Sequence, residues 1–282
     1  MGKKKRNSIM YLILRFFWKS VLFILKIIWN IIKIIFKWIF HSKSHQKCNL
    51  QKGGLKVKKD DYEPLQEIKK ISGSSSEFER KLLLGKSTIG IIIGARGSGK
   101  SAIGMRIVEN IKEKTKKKIY AMGFNRNFIP NWISISSDLN EVDNNSVLIV
   151  DESGITFSSR NSMSEINKLI SSILLIARHK DISVIFITQN SSNLEINTIR
   201  QADYLILKPH SLLQLDFERK KIREIYKEVE HDFKKFKDIK GIAYIYSDQL
   251  RGFVSNTLPT FWSSGLSKSF SDKNMDKNEE KN

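Results

Sequence analysis

Residues 94 to 101 read Gly94-Ala95-Arg96-Gly97-Ser98-Gly99-Lys100-Ser101. Three glycines, a lysine and a serine at this spacing are suited to gripping a chain of phosphates. Glycines let consecutive backbone N–H groups curl around an anion, and a helix that starts here points its positive end at the same place. Lys100 is placed to reach the β- and γ-phosphates of a nucleotide, and Ser101 to put its hydroxyl on Mg²⁺. Fifty residues on, "SVLIVDES" ends an apolar run in Asp151 and Glu152. Asp151 is then a second candidate for the Mg²⁺, and Glu152 a candidate to orient or deprotonate a water that attacks the γ-phosphate.

For these groups to meet, the chain must supply strands that end together. Ile89 to Ile93 is an apolar run in front of the loop, and a helical pattern follows it. "KKIYAMGF" (117–124) and "SVLIVDES" (146–153) read as further strands, buried on both faces and therefore without alternation. A helix in "EINKLISSILLIARHK" leads to the strand Ile182 to Ile187, "ADYLILKP" (202–209) reads as a fifth core strand, and "GIAYIYSD" as a last strand or hairpin. "LDFERKKIREIYKEVEHDFKKF" reads as a charged surface helix with acid–base pairs at helical spacing. The expectation is an α/β domain, three-layer αβα with a mostly parallel sheet. The loop, the intervening strand and the Asp151-Glu152 pair resemble the P-loop NTPases of the RecA/ASCE-like kind, and that resemblance implies their fold.

The block from Arg178-His179 through a short basic turn and an apolar strand into Thr188-Gln189 resembles the FtsK–HerA superfamily. Within it, the chain looks like Zot-like ATPases and viral genome-packaging ATPases. The likeness spans roughly residues 85 to 265. It implies that Gln189 senses the γ-phosphate. It also makes Arg160, in "DESGITFSSR", and Arg178 candidates for an arginine offered to a neighbouring subunit's nucleotide, with no choice between them. Arg178 equally suits neutralising a helix C-terminus. Such an arginine implies a homo-oligomeric ring, with six subunits as the family's number.

Charge is unevenly spread. Of the net +20, residues 1–59 supply fifteen Lys and Arg with no Asp or Glu, and the rest of the chain holds 34 basic against 29 acidic residues. The basic character therefore suggests anionic lipid at the N-terminus rather than a nucleic-acid grip in the domain. Residues 9 to 40 would make a helix about 48 Å long. Arg15, Lys19, Lys26, Lys33 and Lys37 fall within an arc of about 40° on a helical wheel, and nearly everything else is apolar. That pattern leads us to expect membrane attachment, either lying in the interface or crossing with the stripe against other copies or water. The helix stands ahead of the ATPase region, whereas Zot proteins carry their span after it. A single cysteine, Cys48, excludes an internal disulfide framework and suits a reducing compartment.

The expected organisation is a basic N-terminus (1–8), an amphipathic or transmembrane helix (9–40), a polar basic linker (41–84), the ATPase domain (85–265) and a disordered tail (266–282). Its expected function is a membrane-associated, ATP-hydrolysing, Mg²⁺-dependent motor that translocates DNA, with the ATPase domain on the cytoplasmic side. Two alternatives stand beside it: a virion-assembly or secretion ATPase acting on protein, and a nucleotide-gated membrane scaffold without turnover.

Overall fold

The computed structural model describes residues 62–158, 163–263 and 265–266, with side chains throughout except 156–158 and 163–167. The described residues all belong to one compact unit. The expected basic N-terminus and membrane helix lie outside the described residues, as do the first part of the linker and the tail from 267. Among the described residues no helix is long and apolar enough to cross a membrane.

Among the described residues nine strands form one sheet in the order β1-β9-β8-β7-β2-β6-β5-β3-β4. Its parallel part runs from β7 (Tyr204–Leu207) through β2 (Ile89–Ile93), β6 (Ser183–Thr188), β5 (Val147–Asp151) and β3 (Ile119–Met122) to β4 (Ile133–Ile135). Beyond β7, the strands β8 (Ala243–Ser247), β9 (Leu250–Ser255) and β1 (Gln66–Gly73) pair antiparallel. Every residue of β2, β5, β6 and β7 is buried. Continuous apolar runs are what a sheet covered on both faces requires.

Two cores lie on the two faces. Ile91 and Ile93 join one, with Ile170, Ile173, Leu174 and Ala177 of α4 (Met163–His179) and the stripe Ile222, Ile225, Tyr226, Val229 and Phe233 of α7 (Lys220–Lys235). Ile92 joins the other, with Ile103, Met105, Ile107, Val108 and Ile111 of α2 (Lys100–Lys114) and Phe78 and Leu82 of α1 (Ser75–Leu84). The three-layer αβα expectation thus matches the described domain. The helix read as a charged surface element, α7, also carries an apolar stripe at helical spacing that seals one core.

One boundary differs. Residues 66–84, expected as polar linker, are β1 and α1 of this same unit. The edge strand QEIKKISG is largely exposed, so its composition is that of a solvated segment, and its place is fixed by backbone pairing with β9. Phe78 and Leu82, four residues apart, anchor α1 through burial of about 1.5–3 kcal/mol each. The short helices α3 (Glu152–Ser158), α5 (Ile196–Arg200) and α6 (Leu212–Phe217) occupy connections.

Candidate functional site

All six parallel strands point their C-terminal ends the same way, and the chemistry-bearing residues gather there. Gly94 follows β2, Asp151 ends β5, Glu152 starts α3, and Gln189 follows β6. Because β6 lies between β2 and β5, Gln189 leaves the sheet between the loop and the carboxylates. This edge of an open α/β sheet is where such folds bind ligands.

The loop is held from several sides. Ser98 N donates to Ala95 O at 3.1 Å and Ala95 N to Pro209 O at 3.0 Å, the latter tying the loop to the chain after β7. Gly97 and Gly99 sit at φ of 76° and 88°, a region open to glycine. Gly94 is needed for space instead. A Cβ there would lie 2.6 Å from Lys208 Cβ and 2.9 Å from Ser98 Oγ. Gly99 caps α2 without any side-chain acceptor, so the first-turn N–H groups of that helix face the loop. Ala95 and Arg96 complete the turn without a polar side chain committed inward.

Lys100 is buried, and its ammonium donates to Ala95 O at 2.9 Å. Burial lowers its pKa, and the nearby Asp151 and Glu152 push it back up. Ser101 Oγ donates to Asp151 Oδ2 at 3.3 Å, and Ser153 N to Asp151 Oδ1 at 3.0 Å. Both carboxyls are buried and desolvation raises both pKa values; the Ser153 amide opposes this most at Asp151, and Thr188 and Asn193 do so at Glu152. Gly123 after β3 permits this arrangement, since a Cβ there would stand 2.3 Å from Asp151 O.

Gln189 is exposed, and its Nε2 reaches Ser153 Oγ at 3.4 Å, which joins it to the carboxylate turn. Gln214 of α6 was not anticipated. Its amide donates to Gln189 O and, at 3.2 Å, to Glu218 Oε1, and so braces the end of β6. Arg178 is placed elsewhere: exposed near the end of α4, beside the start of β6 and therefore at the far edge of the strands from its own loop. Along β6 that separation is about 17 Å, so Arg178 does not serve the loop of its own chain. Arg160 lies outside the described residues.

Among the described residues no group of three or more His, Cys, Asp or Glu is disposed to hold a metal. The donors present, Ser101 and Asp151, are hard oxygens in mutual contact. This sparse set fits Mg²⁺, which keeps waters and takes most of its other ligands from substrate phosphates.

Residues 88–211 match the family model of Zonular occludens toxin (Zot), a little under half of the chain. Among solved structures, the DNA-packaging ATPase B204 of Sulfolobus Turreted Icosahedral Virus is 21% identical, over 61% of this chain and 98% of that one, with a TM-score of 0.42. The N-terminal domain of zonular occludens toxin from Neisseria meningitidis is 19% identical, over 44% and 77%, at 0.30. EssC ATPases 2 and 3 from Geobacillus thermodenitrificans are 12% identical, over 68% and 44%, at 0.40. At these values the structural likenesses carry no inference about activity or cargo. No curated protein matches the chain. The segment from β2 to the start of α6 is thus Zot-like, as its motifs led us to expect.

Proposed function

We propose that this chain is an ATP-hydrolysing motor of the Zot-like kind that moves DNA, works as a ring of copies and is held at a membrane by residues 9–40, with its ATPase domain on the cytoplasmic side. One observation carries the hydrolytic part: Lys100, Ser101, Asp151 and Glu152 come together at one edge of the sheet, with Ser101 on Asp151 at 3.3 Å. Residues 94–101 hold the triphosphate of ATP. Ser101 and Asp151 hold Mg²⁺, which when bound offsets phosphate charge. Glu152, at the start of α3 and pulled partly toward its neutral form by burial, takes the proton of the attacking water. Gln189, beside Ser153, reports whether the γ-phosphate is present. The arginine that completes the site comes from the neighbouring copy, and the placement of Arg178 away from its own loop favours such a trans role over a cis one.

The Zot family match supports the motor class. DNA as cargo and lipid as anchor are read from the sequence: motif likeness for the first, and the basic stripe on an apolar helix for the second. The test uses the full chain in detergent or liposomes. Double-stranded DNA is expected to raise the ATPase rate, less so as salt rises. No stimulation at any salt would contradict DNA as cargo and leave a protein cargo. Nucleotide binding without turnover, unchanged by Glu152→Gln, would leave a gated scaffold. Failure to float with anionic vesicles would contradict the anchor.

A further inference from the structure

Two lysines are buried among the described residues, Lys100 and Lys208. The second has no part in the site described so far. Lys208 follows β7, whose Leu207 pairs with Ile93, so it stands beside Gly94 at the root of the loop, and its N donates to Ile93 O at 2.7 Å. Its side chain runs under the loop: Cε and Nζ lie 3.5 and 3.7 Å from where a Cβ on Gly99 would be. Nζ donates to Gly241 O at 2.8 Å, and no carboxylate lies within ion-pair distance of it among the described residues. A buried ammonium with one carbonyl partner is unfavourable, and an apolar side chain of the same length would fill the space without that cost. The anion that would repay this is the one the loop is shaped to hold.

We propose that Lys208 is a second cation of the phosphate site, a positioning residue beneath the loop that takes up a proton as nucleotide binds. This rests on the reading that residues 94–101 hold a triphosphate. Burial, with no other cause, lowers the Lys208 pKa to about 7. The neighbouring groups do not offset it. Lys100 comes from the loop and is itself cationic. The hydroxyl of Tyr226 from α7 is engaged with Lys208 O at 3.0 Å and Ile93 O at 3.3 Å. His210, on the segment after β7, and Asn256, against Gly241, bring no negative charge. A polyanion on the other side of Gly99 favours the ammonium, so binding draws a proton from solvent at neutral pH.

The experiment is calorimetry of a non-hydrolysable ATP analogue with the full chain, in Pipes, Hepes and Tris, which differ in ionisation enthalpy, from pH 6.5 to 9. The parent is expected to take up more protons at pH 7.5 than Lys208→Met. The variant is expected to bind at least about tenfold more weakly near pH 7 and to converge on the parent above pH 9, as one interacting charge is lost. Lys208→Arg, charged throughout, is expected to keep affinity without the uptake. Thermal melts guard against a folding artefact. An amine whose pKa falls on folding makes stability rise with pH between about 7 and 10.5, so Lys208→Met is expected to gain most over the parent at or below pH 7. Equal proton uptake in parent and Lys208→Met would overturn the proposal, as would an affinity loss that is the same at every pH. A parent that binds no nucleotide would instead overturn the reading of the loop.

Discussion

Gly94 and Gly97 belong to the same loop but are glycine for different reasons, and replacing each by alanine separates space from backbone strain. A Cβ on Gly94 would stand 2.6 Å from Lys208 Cβ, 2.9 Å from Ser98 Oγ and 3.2 Å from the Lys208 carbonyl carbon. Ordinary carbon contacts lie near 3.5–4.0 Å, so β2 and the root of β7 must part by about 1 Å. Lys208 Cβ is fixed to a strand end and cannot swing aside. Overpacking of this kind costs about 1–3 kcal/mol, which for a domain of this size is a fall in melting temperature of roughly 2–12 °C. It also moves the loop, so nucleotide affinity should fall with it. Gly97 has no atom within 4 Å of its Cβ position, but its φ is 76°. Gly97→Ala then carries only left-handed strain, about 1–2 kcal/mol, and no displacement of β7. Melts and titrations with a fluorescent ATP analogue on both variants provide the assay. If Gly94→Ala melts and binds like the parent, contact between the loop root and Lys208 does not set the geometry of the site. A Gly97→Ala protein that loses more than about 2 kcal/mol would refute the same reasoning.

Glu152→Gln is expected to retain ATP binding while hydrolysis falls about 10²–10⁴-fold. A carboxyl whose pKa is raised by burial contributes stability at low pH that is lost as pH rises through its folded value. The amide should therefore melt no lower than the parent at pH 8, and equal loss of binding and turnover would contradict its role. Lys100→Ala is expected to weaken triphosphate binding at least about tenfold without lowering the melting temperature, because the ammonium it removes is buried; unchanged affinity by titration would count against it. Arg106 and Glu109 form a buried pair at 2.7 Å that also holds Thr260, so Arg106→Ala should cost about 3–5 kcal/mol in denaturant unfolding. Mixing subunits that lack Glu152 with subunits altered at Arg178 or Arg160 should restore activity only for the arginine that acts across an interface.

The loop and the Asp151–Glu152 pair are legible in the sequence because each follows a run of residues buried on both faces, and such runs end at one edge of a parallel sheet. The edge strand β1 is not, since pairing with β9 is a backbone property and its side chains are polar and exposed. Arg178 shows the limit of motif spacing. The sequence tells that it closes a helix, but only the direction of β6 tells that this end lies away from the loop. Lys208 and Gln214 were unseen for a related reason. A lysine after an apolar strand reads as a solvated strand end, and its burial depends on β7 lying beside β2 with α7 packed against it.

The most direct measurement is an experimental structure of the full chain with a non-hydrolysable ATP analogue and Mg²⁺. Triphosphate density curled within residues 94–101, with the cation on Ser101 and Asp151 and Glu152 facing the terminal phosphate, is the result this mechanism requires. Nucleotide bound at another edge of the sheet, or Glu152 turned from the γ-phosphate, would contradict it.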